Sequence, residues 1–83
     1  MNKHSLLTVY SRAYCHLCDE MIADLRELQN DIAFEFEVID VDSGRALEAR
    51  FGAYVPVLAA AGVELCHYHL DVAKVNEYLG KIR

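Results

Sequence analysis

Val9-Tyr10-Ser11-Arg12-Ala13-Tyr14-Cys15-His16-Leu17-Cys18 is the stretch that decides how this chain folds. Its first part closes an apolar, β-branched run (Leu6, Leu7, Thr8, Val9, Tyr10), the composition of a buried strand. Beyond it, Leu17, Met21, Ile22, Leu25 and Leu28 fall at helical spacing and trace one apolar stripe. Cys15 therefore stands where a strand gives way to a helix. Unpaired backbone N–H groups and the positive end of the helix dipole favour a thiolate at such a point. A Cys-x-x-Cys pair alone also fits half a zinc site or part of a cluster site. At a strand-to-helix junction in a βαβ pattern it reads as a redox dithiol.

Working outward, Asp19 and Glu20 occupy the first turn of that helix, where acids suit the dipole, and Asn30-Asp31 ends it. From Phe34 to Val41, Phe34, Phe36 and Val38 alternate with Glu35 and Glu37, the period of a strand with one buried and one wet face. Asp42 or Ser43 is expected to cap a short second helix carrying Leu47 and Phe51, with Gly52 as its stop. Val55-Pro56-Val57-Leu58 opens a third strand, since proline suits a strand's beginning. Ala61-Gly62 turns the chain into a fourth, Val63 to Tyr68. Asp71 is expected to cap a last helix with Val72, Val75, Tyr78, Leu79 and Ile82 inward. The order is β-α-β-α-β-β-α, an α/β fold with a four-stranded mixed sheet flanked by helices.

Composition narrows the function. Eighty-three residues correspond to one domain, 1–83, and 54% hydrophobic content is enough to build its core. A net charge of -5 without any Lys/Arg cluster disfavours nucleic acid and anionic membranes as partners. The longest apolar stretch, Tyr54 to Val63, is too short to span a bilayer. Lys3 and His4 lead into no signal-like segment, and three cysteines suit a reducing compartment, so a cytoplasmic protein is expected, and the even distribution of polar residues makes a monomer the default.

The decisive stretch is similar to the glutaredoxin opening, a strand followed by Tyr-Ser-Lys/Arg-x-x-Cys-x-x-Cys. Val55-Pro56 is similar to the Val-Pro that carries a cis proline facing the dithiol in the thioredoxin-fold superfamily, and Pro56 is the only proline here. The chain thus resembles a short glutaredoxin-like protein over essentially its whole length. That resemblance implies a thioredoxin-like fold and a thiol–disulfide oxidoreductase. Cys15 would be the nucleophile and Cys18 the resolving thiol. Arg12 would meet a substrate carboxylate or support the thiolate. Tyr14 would stand beside the dithiol, and Val55 and Pro56 would offer a backbone edge to an extended substrate. An imidazolium at His16 would stabilise the thiolate, against the opposing charge of Asp19 and Glu20. The implied partner is a disulfide-containing protein or glutathione, with no metal or organic cofactor.

The chain also departs from glutaredoxins. His16-Leu17 replaces their usual Pro-Tyr or Pro-Phe between the cysteines. Cys66-His67-Tyr68-His69-Leu70-Asp71 holds no Gly-Gly pair, although Asp71 matches the acidic position that follows it. Val9 stands near where thioredoxins place a buried acid. Two rival readings remain: a metal or iron–sulfur carrier through Cys15, and a non-catalytic protein-binding module. Cys66 with a histidine would complete a zinc-like set. Cys66 and His67 are strand neighbours on opposite faces, however, so Cys66 is read as a core thiol and His67 and His69 as exposed.

Overall fold

A computed structural model describes residues 6–81. The chain runs β1 (Leu6–Ser11), α1 (His16–Leu28), β2 (Glu35–Asp40), a 3-10 turn (Val41–Ser43), α2 (Arg45–Phe51), β3 (Val57–Ala60), β4 (Val63–His67) and α3 (Val72–Lys81). The sheet order is β2-β1-β3-β4. β1 pairs parallel with β2 through the α1 crossover and antiparallel with β3, which pairs antiparallel with β4. This is the expected thioredoxin-like α/β architecture.

The pleat of the two central strands divides the core in two. Leu7 and Val9 of β1, with Leu58 and Ala60 of β3, face α1 and α3 and meet Met21, Leu25, Val75 and Leu79. The opposite face is smaller: Val41, Phe51 and Val57 pack with Tyr10, Leu47 and Val55 against α2. The Tyr10 and Phe51 rings stack there, with centroids 3.9 Å apart and planes within 13°. Every residue of β3 is buried, as a continuous apolar run in a central strand should be.

At the edges, period alone misleads. β2 begins at Glu35, with Phe34 buried just ahead of it. Val38 lies opposite the fully buried Val9, yet it is 47% exposed because β2 is the edge strand. Val72, expected inward on α3, is 42% exposed because it occupies the first position of the helix, short of the buried stripe that begins at Val75. Ile82 lies outside the described residues. β4 ends at His67, one residue earlier than expected. The Ala61–Gly62 link has positive φ at both residues (51° and 81°), the arrangement of a two-residue type I′ hairpin.

Two helix starts contrast. Asp71 caps α3 as expected: its carboxylate accepts the Lys74 N–H at 3.2 Å. The cap of α2 is Gly44, with no side-chain hydrogen bond, and neither Asp42 nor Ser43 serves. Both are engaged elsewhere. Ser43 Oγ donates to the Asp40 carbonyl at 2.6 Å, and Asp42 accepts from Arg12.

Candidate redox site

Strand register brings three loops to one end of the sheet. Tyr10 at the end of β1 lies opposite Val57 at the start of β3, which lies opposite His67 at the end of β4. The loop carrying Cys15, the segment carrying Pro56 and the turn after His67 therefore share that end.

Cys15 is the residue immediately ahead of α1, in extended conformation (φ -108°, ψ 104°). Its Sγ accepts the Cys18 N–H at 3.1 Å and its carbonyl accepts the Asp19 N–H at 3.1 Å. A sulfur placed so takes up one of the orphan donors of the first turn, and charge on it meets the helix dipole. Cys15 is partly exposed, whereas Cys18 is fully buried. The two sulfurs are joined as a disulfide with Cα atoms 5.2 Å apart. Tyr14 precedes them at φ 57°, a region costly for a side-chain-bearing residue, and its ring is wholly exposed. His16 is also exposed, its Nε2 3.4 Å from Glu20 one turn on.

Arg12 is placed differently from expectation. Its guanidinium grips Asp42 from the side, with Nη2 donating to Oδ1 at 2.8 Å and Nε to Oδ2 at 3.3 Å. Nη1 donates to the Gly52 carbonyl at 3.2 Å, and Nη2 reaches Glu48 at 3.5 Å. The fork thus serves acceptors of this chain instead of standing free for a substrate carboxylate. The Arg12 hydrogen bond is the main reason the Asp42 carboxyl sits below its ordinary range.

Pro56 is fully buried, Val55 partly so, and the bond between them is cis. Their segment is also held by Tyr68, a residue the sequence reading did not single out. Its hydroxyl donates to the Ala53 carbonyl at 3.0 Å and its N–H to the Pro56 carbonyl at 2.8 Å. Its φ of 64° is not a conformation a tyrosine announces in sequence. Gly52, read as a helix stop, has a second reason to be glycine: a Cβ there would come within 2.6 Å of the Glu48 carbonyl.

Cys66 lies apart from the dithiol, in the large core and on the outer strand β4. His67 Nδ1 is 2.9 Å from Glu64, and His69 is exposed. Among the described residues, no three His, Cys, Asp or Glu side chains gather as a metal site, and no helix is long and apolar enough to cross a membrane.

The Glutaredoxin-like domain family (DUF836) matches residues 6–80. The chain belongs to this glutaredoxin-like family. Among solved structures it is similar to protein Ne2328 from Nitrosomonas europaea, with 46% identity and a TM-score of 0.73, covering 92% of this chain and 87% of that one. It is also similar to XcR50 from X. campestris, with 32% identity and a TM-score of 0.66 over 90% and 96% of the two chains. The uncharacterized protein Rv0508 of Mycobacterium tuberculosis is 32% identical over 66 residues, 74% of this chain and 68% of that protein. Thioredoxin 1 of Thermosipho africanus, at 16% identity and a TM-score of 0.58, shares the fold over 93% of this chain and 92% of its own. Family and cysteine pair together give this glutaredoxin-like domain a thiol-based redox function in the general sense.

Proposed function

We propose that this glutaredoxin-like domain is a thiol–disulfide oxidoreductase that cycles its Cys15–Cys18 pair. One observation carries the reading: the Cys15 sulfur caps α1, accepting the Cys18 N–H, while its disulfide partner is sealed in the core. That asymmetry separates an attacking thiol from a resolving one.

In the reduced form, the Cys15 thiolate attacks one sulfur of a substrate disulfide. A Cys15–substrate bond forms as the substrate's S–S bond breaks, and the leaving thiolate takes a proton. Cys18 then gives up its proton and attacks the Cys15 sulfur, releasing the second substrate thiol and restoring the disulfide. Two electrons have passed to the substrate. Glutathione or a dithiol protein returns them, and no metal or organic cofactor enters the cycle. The half-buried Val55, set by the buried Pro56 that follows it, offers an extended substrate its docking edge, and the exposed Tyr14 ring adds contact area beside Cys15. His16 tunes the thiolate when protonated, in competition with its Glu20 contact.

Cysteine variants test the assignment. With dithiothreitol as reductant and insulin as substrate, Cys15→Ser should be inactive. Reduced, freed of dithiothreitol and then given insulin, Cys18→Ser should accumulate a mixed disulfide on Cys15, visible as a mass adduct. Full activity in Cys15→Ser would overturn the proposal.

A further inference from the structure

The segment from Gly52 to Pro56 is held by two side chains, one from the loop ahead of the dithiol and one from the turn after β4. Arg12 donates to the Gly52 carbonyl and Tyr68 to the next carbonyl, Ala53, at 3.2 and 3.0 Å. The Tyr68 N–H closes on Pro56 at 2.8 Å. Each tether is itself anchored. Asp42 grips Arg12 through two of its nitrogens, and the Tyr68 ring meets His67 edge-on, with centroids 4.7 Å apart. The arrangement has a cost: Tyr68 keeps a left-handed backbone, which persists only where its surroundings hold it. Gly52 is the counterpart, because a side chain there would collide with the Glu48 carbonyl and push the segment away from Arg12.

We propose that Arg12 and Tyr68 are positioning residues that pin the segment bearing Val55 and Pro56, and so make this domain selective for polypeptide disulfides over small ones. The inference rests on the docking edge of the proposed function. A substrate that adds to a backbone edge gains affinity when that edge is ordered beforehand, since less conformational freedom is lost on association. A small disulfide adds no strand. It meets only the Cys15 sulfur and gains nothing from the pinning.

Two measurements on the full chain test this. The first is amide hydrogen exchange in wild type, Tyr68→Phe and Arg12→Lys, needing no substrate. The reporters are the Tyr54 N–H, bonded to Phe51 at 2.8 Å, and the residue-68 N–H, bonded to Pro56. Each variant should exchange about tenfold faster at these sites, with the amides of Val9 and Leu58 unchanged. Unchanged exchange at 54 and 68 would overturn the pinning. The second compares insulin with the small disulfide 5,5′-dithiobis(2-nitrobenzoate). Tyr68→Phe should raise KM for insulin about threefold while kcat and the small-disulfide rate hold. Equal losses on both substrates, or none on insulin, would overturn the selectivity. A wild type inert toward both disulfides would instead contradict the redox reading, and the exchange comparison would still decide the pinning.

Discussion

Cys15 and Cys66 show how far one side chain depends on its surroundings. Cys15 sits half-open at a helix start; Cys66 lies in the main core, where burial pushes its thiol pKa up although the Asp71 N–H points at its sulfur at 3.5 Å. In the reduced protein at pH 8, iodoacetamide should modify Cys15 and leave Cys66 untouched until urea unfolds the chain. Peptide mass reads both sites, and early alkylation of Cys66 would contradict its placement. Asp42 gives a pH prediction. Its carboxyl is held below the ordinary value of 3.8 chiefly by the Arg12 hydrogen bond, so the folded state favours the charged form. The resulting stability is complete above 3.8 and is lost as pH falls through the lower folded-state value. Urea titrations of wild type and Asp42→Asn should therefore differ at neutral pH and converge in acid. The gap should be small, since both partners are solvent-accessible.

Among the elements, the β3–β4 hairpin and α3 carry the clearest stability predictions. Ala61 occupies a position of positive φ that an asparagine tolerates better, and Asn-Gly is the favoured type I′ pair. Ala61→Asn should raise unfolding free energy by up to about 1 kcal/mol. Asp71→Ala removes the cap of α3 and should cost about 0.5–2 kcal/mol in chemical denaturation. These two sites were legible in the sequence, as were the four strands and three α-helices, because the deciding signals are local: a Gly turn, an Asp before an apolar stripe, a switch of period. The misreadings have one common cause. Asp42 looked like a cap for α2, but its carboxylate is held by Arg12 from thirty positions away in sequence. Tyr68 went unnoticed because its importance lies in the distant Ala53 carbonyl. Val38 has the right period and the wrong strand, and no pattern within β2 reveals that it is an edge.

The whole molecule is a sheet covered on both faces, with its reactive end built from loops that converge only through strand register. Leu25, fully buried between α1 and the sheet, anchors the larger core. Leu25→Ala should cost about 2–5 kcal/mol in urea unfolding, a large share of the roughly 5–15 kcal/mol expected of a domain. It should loosen the fold without touching the dithiol. The most direct test of the central claim is a glutathione redox titration of the intact protein, quenched by alkylation and read by peptide mass. A reversible Cys15–Cys18 disulfide should appear and disappear as a single two-electron couple, with Cys66 a thiol throughout. A pair that stays in one state across the physiological range, or a disulfide that recruits Cys66, would contradict that claim.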